Sequence, residues 1–378
     1  MRPAAIGRAA LSGLRQRSRR RVALLRRLRT RHRLRVKRHR IAVIAGDGIG
    51  PEVIGAALPV LERAAARHGF GLDLERLPYS ADHYLRTKET LPDGAFRHLR
   101  DDMEAILLGA LGDPRVPGNE HARDILLGLR FRLDLYINFR PITLLHPTLT
   151  PLRSDRPIDF VIFRENTEGV YLGKGRIDGE RYVAEEINTV RGVERIIRAA
   201  FEWATAHGKT RVTMSDKANA VPAHKVWQET FKRVAAAFPS IGAEHRYVDA
   251  LAMELVREPE RFQVIVTNNL YGDILSDLGA GLVGGLGLAA SANLHPGRGG
   301  LFEPVHGSAP PLAGKGVANP MAAVLTGALM FEQLGHAAAA RDLERAVKET
   351  LAAGVRTPDL GGDARTGDVA DAIARRLS

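Results

Sequence analysis

Asp273 and Asp277 stand four residues apart in "VIVTNNLYGDILSDLGAGLVGGLGL" (264–288). On a helix that starts near Gly272 the two carboxylates share one face about a turn apart, with Asp273 close to the positive N-terminal end. Carboxylates converging on one point repel unless a cation or a proton lies between them. An arbitrary D-x-x-x-D pair reads as a solvated acidic face. This pair follows directly on a β-branched run, which is where α/β proteins place ligands. The chain has no cysteine, which excludes disulfides, thiolate ligands and thiol nucleophiles and leaves hard oxygen donors suited to Mg²⁺ or Mn²⁺. A second cluster is cationic. "GLRFRLDLYINFRP" (128–141) and "FRENTEGVY" (163–171) put Arg130, Arg140 and Arg164 at or near strand ends, with Tyr171 seven residues past Arg164. A guanidinium fork grips a carboxylate with two parallel hydrogen bonds. Each arginine alone reads as a surface residue, but three of them beside a divalent-cation site suit a small polycarboxylate.

Positioning these residues requires strand ends and helix starts, and the sequence supplies both. "IAVIAG" (41–46), "AILLGA" (105–110), "DFVIFRE" (159–165), "RVTMSD" (211–216) and "QVIVTNN" (263–269) read as buried strands. Residues 51–69, 191–208 and 222–238 and the segments after Asn319 read as amphipathic helices. Such alternation predicts an α/β protein, and 378 residues exceed one compact core, so two domains are expected. The glycines of "AGDGIGPEV" (45–53) are spaced as Gly46-x-Gly48-x-Gly50. That is not the dinucleotide G-x-G-x-x-G fingerprint, and a tight strand-to-helix turn explains them as well.

The formal charge of +12 is unevenly placed. Residues 1–40 hold fifteen arginines and one lysine without an acid; with those sixteen set aside from the 55 basic residues, 39 remain against 43 acidic ones. The arm reads as a solvated, disordered extension or as the product of an upstream translation start that belongs to no functional unit. An organelle transit peptide and a nucleic-acid-binding arm are the alternatives, the first short of serine and the second lacking any aromatic before Phe70 to stack on bases. Asp47 interrupts any secretory signal, and the weakly polar run 278–294 is too short and glycine-rich to span a bilayer. A cytoplasmic protein without membrane or nucleic-acid partners is the expectation.

Five ordered stretches, "GDGIGPE" (46–52), "FRENTEGVY" (163–171), "DKAN" (216–219), "NNLYGDILSDL" (268–278) and "FEPVHGSAP" (302–310), together resemble the isocitrate/3-isopropylmalate dehydrogenase family of metal-dependent β-decarboxylating dehydrogenases. The resemblance runs from about residue 41 to the C-terminus. It implies a two-domain α/β fold with a mixed sheet flanked by helices and no Rossmann domain. Residues 41–135 and 284–378 would form a discontinuous cofactor-side domain, residues 136–283 a second domain with the dimer interface, and residues 1–40 the extension. It also implies a homodimer with shared active sites, NAD as cofactor and Mg²⁺ or Mn²⁺. Asp273 and Asp277, with Asp249 of the partner subunit, match the metal ligands, and Asp249 thereby borders the substrate. Arg130, Arg140 and Arg164 match the binders of substrate carboxylates. Lys217 matches the base that takes the hydroxyl proton and Tyr171 the acid that protonates the enolate. Glu303, His306, Gly307, Ser308, Ala309 and Asn319 match the loop around adenosine.

Within that resemblance, Leu126 and Leu127 of "DILLGLR" (124–130) would give the substrate's γ group an apolar wall. An isopropyl group fits it best, which makes 3-isopropylmalate the expected 2-hydroxy diacid. "ENTEGVY" and Ala220 keep homoisocitrate and tartrate or D-malate open as alternatives. Pro311 stands where NAD-using members carry an aspartate on the adenosine ribose, so weak discrimination against NADP is expected.

Overall fold

The computed structural model describes residues 37–153 and 156–377; of the extension expected over residues 1–40, residues 1–36 lie outside them. Among the described residues the strands are β1 (Lys37–Gly46), β2 (Phe70–Leu77), β3 (Ala105–Ala110), β4 (Ile137–Thr143), β5 (Asp159–Glu165), β6 (Gly175–Asp178), β7 (Arg181–Ala184), β8 (Arg211–Asp216), β9 (Gly242–Tyr247), β10 (Val264–Thr267), β11 (Ala290–Leu294) and β12 (Gly300–Pro304). The helices are α1 (Gly50–Arg67), α2 (Ala81–Thr87), α3 (Asp93–Asp101), α4 (Glu120–Arg132), α5 (Val190–Ala206), α6 (Lys225–Ala235), α7 (Val248–Arg257), α8 (Asn269–Leu282), α9 (Met321–Gln333), α10 (Ala337–Ala352) and α11 (Thr366–Arg376).

Ten strands join in one sheet, in the order β2-β1-β3-β12-β11-β4-β5-β10-β8-β9. The middle of the sheet is antiparallel, where β11 pairs with β12 and β4 and where β4 pairs with β5. The flanks are parallel. Strands from residues 37–110 and 290–304 fill one half, and strands from 137–267 fill the other. β6 and β7 make a separate exposed hairpin sheet.

Helices cover both faces. One core packs α1, α9, α10 and α11 on β1, β3 and β12, and another packs α5 and α6 on β4, β5, β8 and β10. On the opposite face of the second half, Ile142, Phe160 and Ile162 meet Leu251 and Leu255 of α7 and Leu275 of α8. Strand pleating then fixes where the charged residues point. β4 and β5 pair Asn138 with Arg164 and Phe139 with Phe163. Successive residues face opposite sides, so Arg140 and Arg164 share the α8 side while the two phenylalanines share the α5 side.

β1 begins four residues before the expected Ile41. Residues 37–40 pair with β2 from Phe70 onward. Arg38 bonds Asp73 at 2.6 Å and the Leu72 carbonyl at 2.7 Å. His39 is buried between Glu104 (2.8 Å) and His336 (2.8 Å). Partners elsewhere in the chain thus turn the end of an arginine-rich run into an ordered strand, which local composition did not reveal. The expected helix over 222–238 is shorter, a 3₁₀ turn at Pro222–His224 followed by α6. No helix among the described residues is long and apolar enough to cross a membrane.

Gly48 settles the glycine motif. It has φ 57°, and a Cβ there would lie 1.9 Å from the Ser308 carbonyl oxygen. The residue is a glycine so that the β1–α1 turn can lie against the 307–310 loop, where Ile49 N–H donates to Ser308 O at 2.8 Å.

Candidate active site

α4 enters the site from one side. Its residues Leu126, Leu127 and Arg130 line a cavity of about 340 Å³ together with Arg140 of β4, Arg164 of β5, Tyr171, Asp273 of α8, and Glu303, His306 and Gly307 at the end of β12. The stretches that carried the chemical argument therefore converge from across the chain.

Asp273 is the hub of the polar wall. Arg164 donates to Asp273 Oδ1, Tyr171 Oη donates to its Oδ2 at 2.6 Å, and the Arg140 guanidinium stands 4.0 Å away. Burial opposes ionisation of Asp273. The charges of Arg164, Arg140 and Arg130 and the Tyr171 hydroxyl outweigh it and hold the carboxyl below its usual range. Burial, and then the Asp273 carboxylate that accepts its hydrogen bond, push the Tyr171 hydroxyl up, so Tyr171 keeps its proton. Asp277 lies a turn further along α8. Partial burial lifts its carboxyl, and the charge of Asp273 adds to the lift against the pull of Arg140. That repulsion is what a cation between them would relieve.

The arginines are held from behind. Arg140 donates to Asn138 Oδ1 at 2.7 Å and Ser276 Oγ at 3.2 Å, and Arg164 donates to Asn269 Oδ1 at 3.0 Å. Arg130 donates to Glu303 Oε1 at 2.6 Å, an oxygen that also accepts from Asn293 at 2.9 Å. Glu303, expected at the cofactor, thus lies against Arg130, expected at the substrate. Arg130 Nε is buried without a partner, a donor available to a carboxylate in the cavity. Gly272 permits the close approach of α8 to β5, since a Cβ there would meet Arg164 Cγ at 2.5 Å and Cβ at 2.6 Å.

Behind the Arg164 wall, Glu165 accepts from Thr167 N–H at 3.0 Å, Thr167 Oγ1 at 2.8 Å and Glu168 N–H at 2.7 Å. Burial still pushes its carboxyl up to about 7 against those donors.

Lys217 and Asp249 sit elsewhere. They pair with each other, Lys217 Nζ donating to Asp249 Oδ1, and neither lines the cavity. Among the described residues no group of three or more His, Asp or Glu side chains able to hold a metal ion forms within one chain. At the cofactor loop, His306 bonds the Gly307 carbonyl through Nδ1 at 3.1 Å, while its Nε2 is buried without a partner. Burial lowers its pKa, so the ring is neutral and free to meet a base. Ser308 carries the carbonyl against Gly48, Ala309 adopts a left-handed φ of 40°, and Asn319 bonds Asp359 at 3.1 Å and caps the Met321 N–H at 3.0 Å. The buried, unpartnered imidazole nitrogen in a tight loop fits a nucleotide base.

The model of the isocitrate/isopropylmalate dehydrogenase family matches residues 40–373. The chain belongs to this family. It is 42% identical over 349 residues to the 3-isopropylmalate dehydrogenase of Thermobifida fusca, covering 90% of this chain and 98% of that one. It is 45% identical over 347 residues to that of Streptomyces griseus, covering 89% and 98%. Among solved structures, isocitrate dehydrogenase from Methylococcus capsulatus superposes with a TM-score of 0.82 at 38% identity, over 90% of this chain and 99% of that one. The TT0538 protein of Thermus thermophilus gives a TM-score of 0.82 at 37% identity, over 90% and 68%.

Three positions in this family member escaped the sequence reading. Asn138 and Ser276 orient Arg140; Ser276 had a signal, since it adjoins Asp277 on a helix, whereas Asn138 lies on β4, which the sequence pattern did not mark as a strand. Arg123 also lines the cavity, a turn before Leu126 and Leu127, with no hydrogen bond or ion pair among the described residues. Only the third dimension gives it a role at the wall.

Proposed function

We propose that this chain catalyses NAD- and divalent-metal-dependent oxidative decarboxylation of 3-isopropylmalate, yielding 4-methyl-2-oxopentanoate and CO₂, as a step of leucine biosynthesis in the cytoplasm. The observation that carries the proposal is the joining of three buried arginines, one aspartate and two leucines around one cavity. A divalent ion held by Asp273, Asp277 and Asp249 of the partner subunit would supply positive charge at the substrate hydroxyl and carboxylate, and NAD would accept the hydride from C2. Arg130, Arg140 and Arg164 bind and orient the two carboxylates. Leu126 and Leu127 face the γ group and keep water from it. Lys217 of the partner subunit takes the hydroxyl proton at Nζ as C2 loses its hydride. The C–C bond to the β-carboxylate then breaks, its electron pair moves into the enolate, and Tyr171 Oη protonates the carbon left behind. Shared sites require a homodimer whose second domain, residues 136–283, forms the interface. The protein's 41–135 and 284–378 segments would carry the cofactor.

A spectrophotometric panel of 2-hydroxy diacids with NAD or NADP, in Mn²⁺ and in EDTA, tests this. The expected order is 3-isopropylmalate first, D-malate behind it and isocitrate poor, because its extra carboxylate would lose water against Leu126 and Leu127. Higher kcat/KM for D-malate, tartrate or homoisocitrate would replace the substrate. Absence of NADH formation from every diacid in Mn²⁺ would end the proposal. Pro311 lacks the charge that binds ribose hydroxyls, which should weaken NAD by about ten- to a hundred-fold and leave NADP poorly excluded; Pro311→Asp should sharpen the preference.

A further inference from the structure

The strands that carry Arg140 and Arg164 have a second face, which α5 and α9 cover except along a groove between them. Behind Arg140 and Arg164, Phe139 and Phe163 pack with ring centroids 5.4 Å apart, and Trp203 of α5 tilts against both at 5.5 and 5.8 Å. With Leu294 and Leu329 they floor a groove of about 420 Å³ between α5 and α9, across the seam of the two sheet halves. Glu202, Glu332 and Gln333 stand at its lip. Among the described residues the one basic side chain within 4.0 Å of Glu332 is His207, its Nε2 at 3.9 Å, and Glu202 has none. An aromatic floor left part-exposed at Phe139 and Trp203 beneath two carboxylates without a close Lys or Arg calls for an occupant that is apolar and positively charged together.

The chain itself carries such an occupant. Residues 1–36 hold thirteen arginines and no acid, and within them "RVALLRRL" (21–28) mixes apolar and basic side chains. Its attachment lies on the same face of the sheet. β1 starts at Lys37, its His39 touches His336, and His336 follows Gln333 of the groove wall by about one turn. β1 and β4 are separated by three intervening strands, which amounts to about 20 Å at ordinary strand spacing. The stretch from Leu28 to Lys37 can reach about 30 Å. We infer that residues 21–28 seat their apolar side chains on the Phe139–Phe163–Trp203 floor, with their arginines against Glu202 and Glu332. Tethering makes this encounter intramolecular and raises its effective concentration to the millimolar range. The groove is on the sheet face away from the substrate cavity, so the inference stands apart from the proposed reaction.

Trp203 reports on it directly, because the chain's only other tryptophan, Trp227, is fully buried. The experiment compares emission and acrylamide quenching of the full chain with a variant lacking residues 1–36. Truncation should shift Trp203 emission to the red and increase its quenching several-fold, and a peptide of residues 15–36 added in trans should reverse both. The Glu202→Gln/Glu332→Gln double variant of the full chain should resemble the truncation, and added salt should act in the same direction. Equal quenching in full and truncated chains would overturn the inference. Equal reversal by a peptide with glutamate at every arginine would overturn the charge pairing. Protection that appears only with rising protein concentration and a larger species on size exclusion would place the segment on a second copy and overturn the intrachain form.

Discussion

Asp273 and Asp249 are both expected at the metal, yet the fold treats them oppositely. Asp273 is caged by Arg164, Arg140 and Tyr171 within its own chain, and the Arg164 side chain is only 2% exposed. Asp249 is 67% exposed and has Lys217 as its partner. The Lys217 hydrogen bond leads the effects that hold its carboxyl below the usual range. A caged carboxylate cannot turn away without stranding buried guanidinium groups. An exposed pair exchanges water for a new partner at little cost. The comparison teaches that one chain closes the arginine-lined cavity by itself and leaves the Lys217–Asp249 pair presented outward.

The largest effects should come from separating these two sides. Lys217→Met and Asp273→Asn should each lower kcat by about 10²–10⁴-fold. If the sides meet across a two-fold interface, an equimolar mixture allowed to exchange subunits should recover about a quarter of wild-type activity, since half the dimers would hold one intact site. No recovery after exchange is verified by mass would break the comparison.

Next comes pH, which should register on the caged side. The folded value of about 7 for Glu165 lies above the usual 4.5. Its contribution to stability is therefore complete below about pH 4.5 and is lost as pH rises through about 7, by at most about 3 kcal/mol. Urea midpoints of wild type should fall relative to those of Glu165→Gln between pH 5 and 8. Parallel profiles would show that the three donors already keep Glu165 ionised.

A smaller effect, about ten- to a hundred-fold in kcat, is expected for Tyr171→Phe. Manganese affinity, followed by electron paramagnetic resonance, should stay close to wild type. A matching loss of metal would mean that Tyr171 acts by holding Asp273 rather than by giving a proton.

The smallest effect sharpens the boundary of the folded unit. Removal of residues 1–36 should leave kcat/KM within about two-fold, because every residue that lines the cavity lies after them in the sequence. Removal of residues 1–39 also deletes His39 and the Arg38–Asp73 bond and should lower Tm by several degrees. Equal Tm values for the two truncations would show that residues 37–39 add nothing to β1.

Legibility in the sequence followed local pattern. β3, β5 and β8 occupy the expected spans because "AILLGA" is apolar throughout and "FVIF" and "VTM" put uninterrupted apolar or β-branched runs inside the other two. β4, "INFRPIT", and β11, "ASANL", were not read as strands, because Asn138, Arg140 and Asn293 interrupt the pattern that marks one. Those same residues build the polar wall, so the chemistry that defines the site erased the local signal of the strands carrying it. Arg130, Arg140, Arg164, Tyr171 and Asp273 were legible as one group because their motifs are long and ordered. The Arg130–Glu303 contact was not, since 173 residues separate its partners.

The sheet order also imposes a schedule on synthesis. β3 pairs with β1 on one side and β12 on the other, and β12 begins only at Gly300. β1, β2 and β3 leave the ribosome first, and the fully buried "AILLGA" edge then waits while some 190 further residues are made. During that interval β4, β5, β8, β9 and β10 can pair among themselves, since none of their mutual contacts requires later sequence. The later half of the sheet can therefore be complete in a nascent chain whose earlier half still exposes an apolar strand edge, the kind of surface on which chains aggregate or chaperones hold. Slow codons or a stall between residues 268 and 300 would prolong that exposure, whereas the same delay once β12 has left the ribosome would find the edge already closed.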